Sequence, residues 1–342
     1  MMPDIFTKTL EDILEDIHRK GGIQGQYTRR ILEKSPYALY AGIVMPGTLP
    51  MLVFEVQATA LKSVRLEHET KGYVCEVQSF KKANVRCSRI TILTAVNTFS
   101  SIFKELAPDL MESILSAGNE KGAVKNLAER LELWRRFMES SGSEGLTTAQ
   151  VTGLFGELTF IELALGEGCE PLELLDSWTG PTGSNQDFTS GTHAIEVKTS
   201  CGNEPNLIKV SNLRQLYKTG LTHLFLFHAV FDRRNGAGLT LPELVDRLSS
   251  RLQQESPEAL RAMKERLIPL GYSQAKSDQY KSFGYTKRLF KFYEVKEDFP
   301  CLTEADVRTG VVSATYTIDL ASATAHEKSS AEILSKFNKT DV

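Results

Sequence analysis

Apolar residues at Ile5, Leu10, Ile13, Leu14 and Ile17 recur near the helical period, which predicts a helix over residues 5–20. The period then shortens. YALYAGIVM (37–45), MLVFEVQA (51–58), SVRLEHE (63–69) and YVCEVQSF (73–80) read as strands, separated by turn residues such as Pro46–Gly47 and Lys71–Gly72. A helical stretch follows over 94–116. Another is predicted over 123–139, where Leu127, Leu131, Trp134 and Met138 form one stripe. Residues 1–120 are thus expected to form a β-rich module with flanking helices, and no chemical motif stands out in them.

The second region, 121–342, has a different texture. After the polar break SSGSEG (140–145), Thr147 and Gln150 have the spacing of a capping box, with Leu146 and Val151 as its hydrophobic staple. Val151, Leu154, Phe155, Leu158 and Leu165 continue that helix on one face. Residues 178–200 read as a loop, a short strand, a tight turn at Ser190–Gly191 and a second strand. NLIKV (206–210) predicts another strand, and SNLRQLYKTG (211–220) a short helix capped by Ser211 and stopped at Gly220. The nearly continuous apolar run THLFLFHAVF (222–231) suits a strand deep in a sheet. Two amphipathic helices are expected beyond residue 240, then strands near 287–296 and 311–320. The order implies an α/β core with a C-terminal α+β extension.

Composition narrows the classes. A chain of 342 residues that is 41% hydrophobic can bury a large core. Its net charge of −3 lacks the basic excess usual in nucleic-acid binders, so any DNA contact must use a local basic face or a partner that holds the DNA. Five cysteines without C-x-x-C spacing argue against a zinc site or a disulfide framework and fit free thiols in a reducing cytoplasm. The acidic, amphipathic first twenty residues do not read as a signal peptide, and no apolar run reaches the length of a membrane span.

The chemistry-bearing pattern is Asp187 followed by Glu196-Val197-Lys198. In a strand, residues two apart share a face, so Glu196 and Lys198 project together while Ile195 and Val197 turn toward the core. Asp187, on the preceding strand of the predicted hairpin, can bring its carboxylate to that of Glu196. Clustered carboxylates repel unless a cation lies between them, and hard oxygen ligands suit Mg²⁺ or Mn²⁺. A neighbouring lysine can orient water and offset charge on a phosphorane. These are the parts for metal-assisted phosphodiester hydrolysis.

With Gly156-Glu157 on the helix before it, this hairpin resembles the PD-(D/E)XK core of restriction endonucleases and related nucleases. GLFGELTFIE, WTGP…QDF, IEVKTS and the late DFP…Y-x-I-D-L segment are similar, more narrowly, to a bacterial family of PD-(D/E)XK-motif proteins linked to restriction and phage-defence loci. The resemblance runs closely over residues 150–320 and implies a restriction-endonuclease-like core, a mixed sheet flanked by helices. It places Asp187 and Glu196 as metal-binding carboxylates and Val197 as a further metal ligand. Lys198 takes the place of the catalytic lysine, and Glu157 that of the acid on the preceding helix. Gln186 stands where the motif's name has proline.

Several residues compete with this reading. Glu162 is an alternative helix acid, and its phase among Val151, Phe155 and Leu158 fits a buried structural residue equally. Ser211 and Gln215 could touch phosphate or a base edge, although capping explains Ser211 more simply. His193, three residues before Glu196, falls on the opposite face and reads as structural; Trp178 reads as core. Glu294-Val295-Lys296 repeats E-V-K without a preceding hairpin acid and is expected to be a solvated strand face. Residues 276–292 interleave cations with aromatics, which suits either backbone contact with base stacking or one wet face of a strand. The expectation is an Mg²⁺- or Mn²⁺-dependent DNA endonuclease in a cytoplasmic defence system. A methyltransferase or helicase-type ATPase would be its partner, no membrane is involved, and a homodimer is open as an assembly state. The alternative is a non-catalytic nuclease-fold module for nucleic-acid recognition or complex assembly.

Overall fold

The computed structural model describes residues 2–62, 64–140, 145–303, 306–311 and 313–337. Most of the predicted 140–145 break lies outside them. The chain divides into two compact units, Met1–Gly145 with Ile268–Lys276, and Leu146–Leu267 with Ser277–Val342. The helix over 120–140, expected with the second region, packs in the first.

In the first unit, α1 (Met2–Lys20), α2 (Ser100–Leu115) and α3 (Glu120–Ser140) accompany six strands. These are β1 (Gly25–Ile31), β2 (Ala38–Met45), β3 (Leu49–Gln57), β4 (His68–Glu69), β5 (Tyr73–Lys82) and β6 (Val85–Thr94), in antiparallel order β1-β2-β3-β6-β5-β4. The period-two pattern sends Leu39, Ala41 and Ile43 of β2 and Leu52, Phe54 and Val56 of β3 into one core with the helical stripes. β1 and β6 do not stand out in the sequence because Arg29 shares the face of Tyr27 and Ile31, and Arg86 that of Ile90 and Ile92, which breaks the apolar row of each strand. The expected strand over 63–69 shrinks to His68–Glu69.

The second unit holds α4 (Thr148–Gly166), α5 (Pro171–Ser177), β7 (Phe188–Ser190), β8 (His193–Ser200), β9 (Leu207–Val210), β10 (His223–Asn235), α6 (Leu241–Glu255), α7 (Pro257–Leu270), β11 (Phe283–Glu294), β12 (Tyr316–Asp319), β13 (Glu327–Lys328) and α8 (Ser330–Phe337); the last residues of α7 return to the first unit. Its main sheet runs β13-β11-β10-β8-β7 and is mixed, since β10 pairs in parallel with β8 and the other pairs are antiparallel. This is a mixed α/β fold with a restriction-endonuclease-like core.

One face of the sheet packs on α4, where Phe155 stacks on Tyr285 at 4.3 Å and Phe160 meets Phe188 and Phe227. α4 is buried nearly all round, beyond the single stripe expected. Its capping box is present as predicted: Thr147 Oγ1 accepts from the Gln150 amide, and the Gln150 side chain accepts from the Thr147 amide. The opposite face carries Ala194, Leu224, Leu226 and Tyr293. They pack against the two-stranded ribbon of β9 and β12 through Ile208, Val210 and Ile318. Residues 211–220 are turns rather than the expected helix. The Asn212 side chain takes the amides of Arg214 and Gln215, diverting the backbone from helical bonding. Among the described residues, no helix is long and apolar enough to cross a membrane.

Gly156 has a packing reason. A β-carbon there would collide with the Thr199 side chain of β8, so glycine lets α4 approach the strand. Gly156→Ala should cost about 1–3 kcal/mol by overpacking. Thermal denaturation checks this: Thr199→Ala added to Gly156→Ala should recover most of the loss, because the nearest colliding atom is the Thr199 hydroxyl oxygen.

Candidate active site

β7 is only three residues long and pairs with His193–Ile195 of β8. The edge of β8 beyond Ile195 is therefore not covered by a β7 ladder, and Asp187, one residue before β7, reaches it. Asp187 Oδ2 accepts the Val197 amide at 2.8 Å. In extended backbone a residue's N–H and C=O point to the same edge, so the Val197 carbonyl also faces the Asp187 side. The loop before β7 is drawn tight. The amides of Thr179 and Gly180 both donate to the Asp187 carbonyl, at 2.8 and 2.9 Å. A side chain at Gly180 would press on Asp187 Oδ1 and Cα. The close approach explains glycine in WTGP.

Glu196 and Lys198 share a face, as strand parity predicts. Glu196 is 1% exposed, with Oε1 2.7 Å from Lys198 Nζ. Neither carboxylate oxygen has a hydrogen bond of good geometry among the described residues, so the Lys198 contact is an ion pair. Lys198 Nζ also donates to Gln215 Oε1 at 3.0 Å. Glu157 comes from α4, and its Oε2 accepts from the Trp178 indole at 2.6 Å. Trp178 itself is fully buried and stacks on Phe188, so it is core, as expected, and also a donor to the acid.

These charges act on one another. Burial and repulsion from Asp187 push the Glu157 carboxyl well up, against the Trp178 hydrogen bond and Lys198. Burial raises Asp187, while the Val197 amide and Lys198 pull it down. Burial and the Asp187 charge raise Glu196 well above its ordinary range, opposed by Lys198. Buried Glu196, with neither oxygen hydrogen-bonded, lies beside the half-buried Glu157 and Asp187 carboxyls that oppose its ionisation, an arrangement that fits a divalent cation. Among the described residues no group of three His, Cys, Asp or Glu side chains is already arranged as a metal cage. A hard cation here would draw on Asp187, Glu196, the Val197 carbonyl and water, an incomplete protein shell of the kind Mg²⁺ accepts. Beside Lys198 opens a cleft of about 720 Å³ lined by residues of β8, the loop after it and β9, including Thr199, Ser200, Asn203 and Lys209.

The competing candidates fall elsewhere. Glu162 is not buried; it is about one-third exposed and paired with Arg247 of α6 at 2.6 Å, so it bridges two helices away from the site. His193 is buried, edge-on to the His223 ring, outside the carboxylate cluster. Ser211 caps no helix; its amide donates to Gln215 Oε1 at 2.8 Å. Within 276–292, Tyr285 and Phe292 are buried in the core, so this stretch is no row of free stacking rings.

Glu294 is not the solvated residue expected. It is 7% exposed and gathers His223, Lys296 and Lys336 at 3.3–3.7 Å. Burial pushes its carboxyl up, but Lys296, Lys336 and His223 outweigh that and hold it below the ordinary value. Glu294→Ala with Lys296→Ala should leave any nuclease activity near wild type and lower stability by about 1–2 kcal/mol, as for a partly buried ion-pair cluster. A plasmid nicking assay beside a denaturation curve checks both halves.

Fold, hairpin and Asp–Glu–x–Lys set together define a nuclease-like protein of the PD-(D/E)XK class. The chain belongs to the family described as "Putative PD-(D/E)XK family member, (DUF4420)", whose model matches residues 7–321. No curated protein and no solved structure matches it.

Proposed function

We propose that this protein is an Mg²⁺- or Mn²⁺-dependent endonuclease that hydrolyses phosphodiester bonds of DNA within a bacterial restriction or phage-defence system. The observation that carries the reading is the gathering of buried Glu196 and half-buried Glu157 and Asp187 about a lysine that opens onto a cleft. Asp187, Glu196 and the Val197 carbonyl would hold the cation, which supplies Lewis acidity and a water of lowered pKa. In the hydrolysis, water oxygen forms a bond to phosphorus, the bond to the leaving oxygen breaks, and that oxygen takes up a proton. Lys198 donates to the non-bridging oxygens as their charge grows and orients the attacking water. Glu157, with its raised proton affinity and its Trp178 contact, is placed to take or hold a proton at the rim of the cluster.

The net charge of −3 makes weak stand-alone DNA binding the expectation, with a methyltransferase or helicase-type ATPase of the same system holding the duplex. The test is loss of supercoiled plasmid by the purified protein with Mg²⁺ or Mn²⁺ and with chelator. Glu196→Gln serves as the control. Metal-dependent nicking absent from the control supports the proposal. DNA binding without cleavage under either metal, alone or with the partner present, would favour a non-catalytic recognition module.

A further inference from the structure

We infer that Gln186 and Gln215 are positioning residues that fix the Lys198 ammonium toward the cleft, Gln186 by latching the segment that carries Gln215 to the Asp187 loop. This rests on the proposed nuclease reading for its catalytic meaning, and on geometry for its existence.

Gln186 immediately precedes Asp187 and is 8% exposed. A buried amide needs partners for its donors. Its Nε2 donates to the Arg214 carbonyl at 2.8 Å, with the Gln215 carbonyl at 3.5 Å. The 211–220 segment is built of turns and lacks the ladder of a helix to hold its shape. The side chain next to the metal-binding acid therefore anchors the backbone on which Gln215 sits. Proline at 186 could not make this bond, for it has no side-chain donor.

Gln215 then acts on the lysine. Its Oε1 accepts from Lys198 Nζ at 3.0 Å and from the Ser211 amide at 2.8 Å. The Ser211 amide fixes where that oxygen lies, so the acceptor is held before the lysine meets it. An ammonium has three donors and no acceptor. Glu196 Oε1 and Gln215 Oε1 engage Lys198 from two directions, and a third donor remains for the cleft that Lys198 lines. Without Gln215, the four-carbon stem is held at its tip, among the described residues, by Glu196. A lysine that swings loses the near-attack geometry on which transition-state contacts depend.

Two isosteric variants without amide groups, Gln186→Met and Gln215→Met, separate the steps, and Gln215→Glu restores the acceptor. With plasmid substrate, Gln215→Met should lower kcat about 10- to 100-fold while KM and the metal midpoint stay near wild type, the signature of a contact spent in the transition state. Gln186→Met should do the same more mildly, and Gln215→Glu should recover at least part of the rate. A second readout needs no activity: the rate of reductive methylation of Lys198, followed by mass spectrometry with Lys209 of the same cleft as internal reference. Lys198 should react several-fold faster relative to Lys209 in both methionine variants and return toward wild type in Gln215→Glu. Unchanged Lys198 labelling in Gln215→Met would overturn the inference whether or not the protein cleaves DNA. Faster labelling with a wild-type kcat would overturn the positioning role while leaving the nuclease reading intact. Faster labelling in a protein that never cleaves would uphold the contact and reject the nuclease.

Discussion

Lys198→Ala should lower plasmid cleavage by about 10³-fold, the range for losing a group that acts on developing charge and on proton transfer. Metal binding should survive, because a charged ammonium has no lone pair for a cation. It should even tighten, since the variant removes a positive charge 2.7 Å from Glu196 Oε1. DNA binding should change little, the lysine's contacts being made mainly as the phosphorane forms. Asp187→Ala and Glu196→Ala should instead abolish metal binding together with cleavage, each taking one of the two carboxylates the cation would use. Calorimetric Mn²⁺ titrations and plasmid nicking on the three variants distinguish the roles. Full Mn²⁺ binding by both carboxylate variants would reject the ligand assignment, and undiminished cleavage by Lys198→Ala would reject the lysine's.

How far the sequence reaches depends on whether a signal is local. The hairpin was legible because parity and a Ser190–Gly191 turn fix where Glu196 and Lys198 point without reference to the rest of the fold. The capping box at Thr147 is local in the same way, two residues three apart satisfying each other. Glu157 also lies in the cluster, although helical phase alone did not separate it from Glu162; the contact that sorts them, the Trp178 indole, sits 21 residues away. Glu294 was misread as solvated because its partners His223 and Lys336 arrive from other elements. β1 and β6 went unseen since their arginines break the apolar run, although the alternation is regular once pairing is known. The turn-built 211–220 segment carries a helix-like pattern that Asn212 overrides through its own side chain. Gln186 carried no signal at all: a glutamine before an aspartate becomes informative only when its partner backbone, 28 residues on, is in place.

Without metal, the protein should lose stability as pH rises from 6.5 to 8, and Mg²⁺ should reverse that trend. Glu157 is pushed up to about 8 and Glu196 well above the usual carboxylate range, whereas an unfolded chain ionises its carboxyls near their ordinary values. The folded state therefore holds more protons, and stability falls with pH until those protons leave. Each proton retained across the window costs about 1.4 kcal/mol per pH unit, a fall of roughly 3–8 °C in midpoint over 1.5 units. His228 has the opposite sign. Burial, with Lys291 nearby, pushes it down to about 4, so it favours the fold as pH rises, but only below the ordinary imidazole value of 6.5. Working above that value leaves the carboxylates as the part of the slope that the cation can change. Saturating Mg²⁺ binds the deprotonated cluster and so gains affinity over the same window; at a hundred times Kd it adds about 2.7 kcal/mol. The metal-induced rise in midpoint should thus be larger at pH 8 than at pH 6.5. Glu196→Gln removes a buried carboxyl whose ionisation the fold opposes and keeps an acceptor for Lys198. In metal-free buffer at pH 8 it should melt roughly 3–8 °C above wild type, consistent with relief of about 2 kcal/mol of strain stored at a functional site. Its pH slope should shrink and its response to Mg²⁺ should disappear. Scanning calorimetry of both proteins at the two pH values, with Mg²⁺ and with chelator, reads all four quantities. A Glu196→Gln variant that melts below wild type would show that Glu196 is not strained, and one that keeps the full Mg²⁺ shift would show that it is not a ligand.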